Sequence, residues 1–286
     1  MKKETVIVIL GQTATGKSDL AVRIAKKIDG EIISAYSRQV YKGLDIGTGK
    51  ITKREMQSIP HHLLDIVNPK KKFTVTEYKK LADKKIEDIL SKGKTPIICG
   101  GTGFYIDAVT KGMVFPEVPP DYKLRKNLLQ KETIVLFHTL AKLDPKRARD
   151  IKDKNEQNNR VRLIRAIEIA KYLGKVPKIK TQKPKYNFVK IGLYLPKEKL
   201  EEKIKIRVNK MFKAGLLKEI QKLKKSGVSE KRLKEFGFEY NSPTRDKVIK
   251  ETLRYAKRQM TWFKRDKEIK WYDASERIDF DLQRDV

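Results

Sequence analysis

Apolar and polar positions alternate between two patterns in the first third of the chain. "TVIVIL" (5–10) is an unbroken apolar run, as expected of a strand buried on both faces. "DLAVRIAKKI" (19–28) sets Leu20, Ile24 and Ile28 on one helical stripe. "EIISA" (31–35) predicts a second strand. "TVTEYKKLADKKIEDILSKG" (74–93) predicts a helix with Val75, Tyr78, Leu81, Ala82, Ile86 and Ile89 on its buried face. Thr74 and Glu77 have capping-box spacing, and Gly93 marks the end. "TPIICGG" (95–101) predicts a third strand running into a glycine turn. Strands alternating with helices predict a parallel sheet covered by helices.

The pattern then changes. "FPEVPPDYK" (115–123) reads as a proline-rich connector, and "KVPKIKTQKPKYN" (175–187) as a second one. Between them the signal is helical and strongly basic. "NNRVRLIRAIEIAKYLG" (158–174) places Val161, Ile164, Ile167 and Ala170 or Ile169 toward one side. "FVKIGLYL" (188–195) returns to strand. "KLEEKIKIRVNKMFKAG" (199–215) carries Leu200, Ile204, Val208 and Met211 at helical spacing, and "RDKVIKETLRYAKRQMTWFKRD" (245–266) carries Val248, Leu253, Ala256 and Met260. "IKWYD" (269–273) predicts a final short strand. The expected organisation is an α/β core from 1–120 and 185–286, interrupted by a basic helical domain at 121–184.

Charge changes the picture. The 286 residues hold 67 Lys+Arg against 36 Asp+Glu, a net charge of +31. That excess predicts a polyanionic partner, most simply nucleic acid, because Lys and Arg displace counterions from phosphates. Cys99 is the single cysteine and there are three histidines. A disulfide framework or a Cys- or His-built metal site is not expected. "VIVIL" is too short for a membrane span and lacks the features of a signal peptide. The reading is a soluble, cytoplasmic, monomeric protein without membrane attachment.

The candidate chemistry begins at "GQTATGKS", Gly11 to Ser18, which fits G-x-x-x-x-G-K-[ST] between a predicted strand and a predicted helix. Backbone amides of Gly11, Gln12, Thr13, Ala14, Thr15 and Gly16 would converge on an anion at the helix N-terminus. Lys17 would reach further phosphate oxygens, and Ser18 could hold Mg²⁺. The loop does not say which phosphates.

Other stretches narrow the choice: "EIISAYSRQVYKGLDIGTGK" (31–50), "PHHLLDIVNP" (60–69), "CGGTGFYIDAV" (99–109), "NNRVRLIRAIEI" (158–169) and "YAKRQMTWFKRD" (255–266). With the phosphate loop, the chain resembles the tRNA dimethylallyltransferase family, also called tRNA isopentenyltransferase, over essentially its whole length. The resemblance implies a P-loop kinase-like α/β core with an inserted helical domain. It implies transfer of a dimethylallyl group from dimethylallyl diphosphate to N6 of the adenine immediately 3′ of a tRNA anticodon. The loop would then hold a diphosphate leaving group rather than a nucleotide. Thr102 matches a threonine at the reacting centre, Arg125 an arginine near diphosphate and tRNA, and Gln39, beside Ser37 and Arg38, a residue that reads the RNA. Arg160, Arg162 and Arg165 in the insertion, and Lys257, Arg258 and Gln259 near the C-terminus, are candidates for clamping the anticodon stem-loop. Trp262 and Phe263 offer stacking surfaces or core packing.

One departure bears on catalysis. The family pattern at 34–37 is Ser-Ala-Asp-Ser, whereas this chain has Ser34-Ala35-Tyr36-Ser37. The aspartate is the family's general base. A phenol, with a pKa of about 10, stays protonated at neutral pH, and its bulk intrudes where the adenine must sit. Reduced activity is expected, with Asp45 a conceivable substitute carboxylate. Gln12, Thr15 and Asn159 also differ from the family's usual residues, and the zinc finger of eukaryotic relatives is not seen, as in the bacterial type. Two other readings stay open: a catalytically impaired anticodon-arm binder and a P-loop kinase of small molecules.

Overall fold

A computed structural model describes residues 3–276 and 278; the remaining positions, which include the last residues assigned above to the core, lie outside the described residues. The chain divides into two compact units, one of residues 1–112 and 183–286, the other of residues 113–182.

The first unit opens with β1 (Thr5–Gly11), α1 (Lys17–Lys27), β2 (Gly30–Ser34), α2 (Lys53–Met56), β3 (His61–His62), α3 (Val75–Leu90), β4 (Thr95–Cys99) and α4 (Gly103–Thr110). The second unit follows with β5 (Met113–Val114), α5 (Tyr122–Leu129), α6 (Thr133–Leu143), α7 (Pro145–Asp153), α8 (Arg160–Leu173) and β6 (Lys180–Thr181). The chain returns to the first unit through β7 (Asn187–Tyr194), α9 (Lys197–Lys213), α10 (Leu216–Lys225), α11 (Glu230–Phe236), α12 (Arg245–Phe263) and β8 (Lys270–Asp273).

The main sheet is parallel throughout, in the order β3-β2-β4-β1-β7-β8. Its continuous apolar strands follow from burial on both faces. Val6, Val8 and Leu10 enter one core with Ile33, Ile98, Tyr78 and Ile86. Ile7 and Ile9 point the other way, onto Leu20, Ile24 and Ala25 of α1. The capping box forms as the spacing predicts: Thr74 Oγ1 accepts from the Glu77 amide at 3.2 Å, and Glu77 takes the Thr74 amide at 2.8 Å.

The second unit has its own core of Leu128, Leu136, Leu140, Ile151, Leu163 and Ile167. β5 and β6 pair antiparallel at its two ends. One expectation fails in detail, and one helix was not foreseen. Val161 lies 79% exposed, because Leu163, Ile164 and Ile167 set the buried face of α8. "GFYIDAVT" forms the helix α4, which the glycine pattern around it hides.

Candidate active site

The carboxyl ends of β1, β2 and β4 open onto one cleft of ≈ 530 Å³, the edge where open α/β sheets place ligands. Thr13, Ala14, Thr15, Gly16, Lys17 and Ser18 form one wall. Gly16 takes a left-handed conformation (φ 79) as α1 begins at Lys17, which directs the loop amides and the helix dipole to the same point. Lys17 is 4% exposed, and its Nζ donates to the Gln12 carbonyl. Burial draws this amine down to about 7, with Cys99 opposing and Arg207 adding to the effect. A bound anion would hold it charged.

Tyr36, Ser37, Arg38 and Gln39, the turn after β2, line the same cleft with Thr102. Thr102 Oγ1 accepts from the Ser37 amide at 3.0 Å and does not cap α4, so the hydroxyl ties the two turns together. Burial, with Cys99 adding to it, pushes the Tyr36 phenol well above its ordinary value, and the Arg207 charge and a hydrogen bond with Ser18 only partly offset it. The Tyr36 ring lies against Gly101, and the amide side chain of Gln259 occupies the space a Cβ there would need. That close approach requires glycine. Gln259 joins two of the loops: its Oε1 accepts from the Thr13 amide at 2.8 Å and its Nε2 donates to the Gly101 carbonyl at 2.9 Å. Gln39 is buried and its amide faces the carbonyls of Thr48 and Gly49, both at 3.3 Å.

Three residues that the sequence reading passed over line the cleft: Arg207 on α9, Tyr255 on α12 and Glu239 in the turn after α11. Arg207 donates to the Thr48 carbonyl at 3.3 Å. A fourth, Glu219 on α10, builds the far rim. Its carboxylate accepts the amides of Asp45, Ile46 and Gly47 at 3.0, 2.7 and 3.1 Å, and the Tyr240 hydroxyl at 2.9 Å. Asp45 itself is bonded to Lys50 at 2.6 Å with its side chain 58% exposed, and it does not line the cleft.

The remaining candidates sit elsewhere. Arg258 lines the cleft, while Lys257 is exposed on α12. Phe263 is buried core, and Trp262 packs beside it and donates to Asp107 at 3.1 Å. Arg125 lies in the second unit, where it grips Glu168 with two bonds of 2.7 Å. Glu168 is 2% exposed and also holds Arg165 and the Asp121 amide. Burial opposes its ionisation, but the bonds from Arg125 and Arg165 outweigh burial and keep it below the usual carboxylate range. Arg160 bonds Thr133 and the Leu129 carbonyl, and Arg162 pairs with Glu156.

Among the described residues no group of three or more His, Cys, Asp or Glu could cage a metal. The Ser18 hydroxyl lines the cleft beside the loop and is engaged by Tyr36 and Cys99; it is the side chain that would hold a hard cation that keeps its waters and takes phosphate oxygens.

A glycine loop that turns from a parallel strand into a helix, with a buried lysine at its end, is the arrangement that phosphate-binding α/β proteins use. Comparison with known proteins is more specific. Residues 39–266 match the family model "IPP transferase". The tRNA dimethylallyltransferase of Acetivibrio thermocellus is 39% identical over 301 residues, covering 96% of this chain and 95% of that protein. The solved tRNA isopentenylpyrophosphate transferase of Bacillus halodurans superposes with a TM-score of 0.67 at 35% identity, covering 99% and 93% of the two chains. A eukaryotic dimethylallyltransferase acting on tRNA superposes with a TM-score of 0.80 at 28% identity, covering 95% and 74%. The chain belongs to the IPP transferase family.

Proposed function

We propose that this protein transfers a dimethylallyl group from dimethylallyl diphosphate to N6 of the adenine 3′-adjacent to the anticodon of a tRNA. The observation that carries the reading is the single cleft in which the phosphate loop faces Thr102, Ser37 and Tyr255. In this reading the loop amides and Lys17 receive the diphosphate and stabilise the charge that grows on it as the allylic C–O bond breaks. Mg²⁺ held at Ser18 would neutralise part of that charge when bound. Thr102, fixed by the Ser37 amide, and Gln39 orient the adenine, which must leave its stack to enter the cleft. Lys257 and Arg258 on α12 face RNA phosphates. The insertion arginines keep partial exposure, 41% for Arg162 and 37% for Arg165, and serve the anticodon arm while also bracing their own unit. The protein acts as a cytoplasmic monomer.

Tyr36 favours a second reading, an RNA binder that transfers nothing, because a phenol held protonated by burial takes no proton from the amine. Ligand choice on the loop tests the main reading. Dimethylallyl diphosphate should bind at least about tenfold more tightly than ATP, about 1.4 kcal/mol, and Lys17→Met should abolish the difference. Tighter binding of ATP, with turnover in the absence of RNA, would support a small-molecule kinase instead.

A further inference from the structure

Prenyl transfer to an amine needs a proton acceptor, and Tyr36 is not one. The N6 lone pair forms the new bond to the allylic carbon, the C–O bond breaks with its electrons leaving on diphosphate, and the N–H proton must go to a base. Among the described residues the cleft is lined by three carboxylates, Asp19, Glu55 and Glu239. Asp19 lies in the first turn of α1 beside the phosphate loop, where a diphosphate would repel rather than use it. Glu55 is committed to its helix cap, with one oxygen taking the Thr52 amide and hydroxyl, both at 2.8 Å.

The geometry points to Glu239 as the general base of this chain, taking the N6 proton in place of the residue that Tyr36 displaces. This rests on the transferase reading above. Glu239 occupies the turn that follows α11, lines the same cleft as Tyr36 and Thr102, and shares neighbours with both. Arg207 feels the charges of Glu239 and of Tyr36. Tyr255 feels Glu239 and is hydrogen-bonded to Thr102. The carboxylate is met by its own backbone amide, and the facing charged and titratable groups are Arg38, Arg207, Tyr240 and Tyr255. Burial raises Glu239 to about 7, against the pull of that amide and the two arginines. A carboxyl group poised near the operating pH is what proton abstraction calls for.

The test is single-turnover transfer from labelled dimethylallyl diphosphate to an unmodified anticodon stem-loop RNA, with RNA affinity measured separately. The wild-type rate should fall as pH drops below about 7, since protonation removes the base. Glu239→Gln should lose about 10²-fold in rate, erase the acid limb, and bind the stem-loop within about threefold of wild type. Adding Tyr36→Asp to Glu239→Gln should restore transfer, because a second carboxylate then faces the amine; a merely structural role for Glu239 would not be rescued this way. A Glu239→Gln protein that keeps both rate and acid limb overturns the assignment. Should that variant fail to fold, a wild-type profile flat from about pH 5.5 to about 8 overturns it equally. A wild type that binds RNA and transfers nothing at any pH overturns the transferase reading, and the base assignment with it.

Discussion

Glu219 lies on α10, remote in sequence from the loop it controls, and its replacement by glutamine is the sharpest test of how the rim of the cleft is built. The carboxylate takes three consecutive backbone amides and one hydroxyl at 2.7–3.1 Å. Glutamine has the same shape but one acceptor oxygen. With that oxygen toward Asp45 and Ile46, the new NH₂ opposes the Gly47 amide, while the Tyr240 hydroxyl can turn to accept. One bond is lost and the others fall from charge-assisted to neutral strength, roughly half. At about 1.5 kcal/mol per charge-assisted bond at the low end, that comes to about 4 kcal/mol, and to about 3 kcal/mol once solvent screening at this half-buried site is discounted. The damage should be local, since Val40 and Leu44 stay anchored in apolar packing with Leu216, Ile220 and Leu223. Hydrogen exchange is the assay: protection of the Asp45, Ile46 and Gly47 amides should fall by about 10²-fold, while β1 and β4 amides are unchanged. Unaltered exchange at those three positions would refute the view that Glu219 anchors this rim.

Three further outcomes are expected. Gln259→Leu leaves the Thr13 amide without its partner and the Gly101 carbonyl with only the longer 3.4 Å bond from Tyr255, so at about 1–3 kcal/mol for an orphaned buried group urea unfolding should show a loss of about 2 kcal/mol. Arg125→Ala strips a buried carboxylate of its bidentate partner but leaves Arg165 and the Asp121 amide on it, so the 113–182 unit should lose about 2–3 kcal/mol in thermal unfolding of the full chain. The same pair sets an acid limit. Glu168 is held below its ordinary pKa, so its stabilisation is present at neutral pH and is lost as pH falls through that lowered value.

The sheet was legible because β1 is an unbroken apolar run, β2, β4 and β7 keep short apolar cores, and its helices carry capping residues and stripes. The phosphate loop was legible as a local motif. The edge strand β3 was not, because "HH" has no strand pattern and pairs only through its neighbour β2. Much of the site was hidden for a related reason: its residues are joined by tertiary bonds. Two of them left a trace. Arg207 falls on the stripe of Leu200, Ile204, Val208 and Met211, and Gln259 on that of Val248, Thr252, Ala256 and Phe263; Arg207 is half-buried there and Gln259 is buried. A polar residue at an apolar position of a helix has to find a partner inside, and both partners lie at the cleft. Glu239 and Glu219 left no such trace, one in an irregular turn and the other on the partly exposed side of its helix. Asp45, conspicuous in sequence, is held on the surface by Lys50.

The most direct test of the account is where the label goes when this protein, dimethylallyl diphosphate and an unmodified anticodon stem-loop are combined and the RNA is digested to nucleosides. The account predicts label on the single adenosine 3′ of the anticodon, and none when that base is replaced by guanosine. Label on another nucleoside, or RNA bound and unlabelled while diphosphate remains intact, would contradict it.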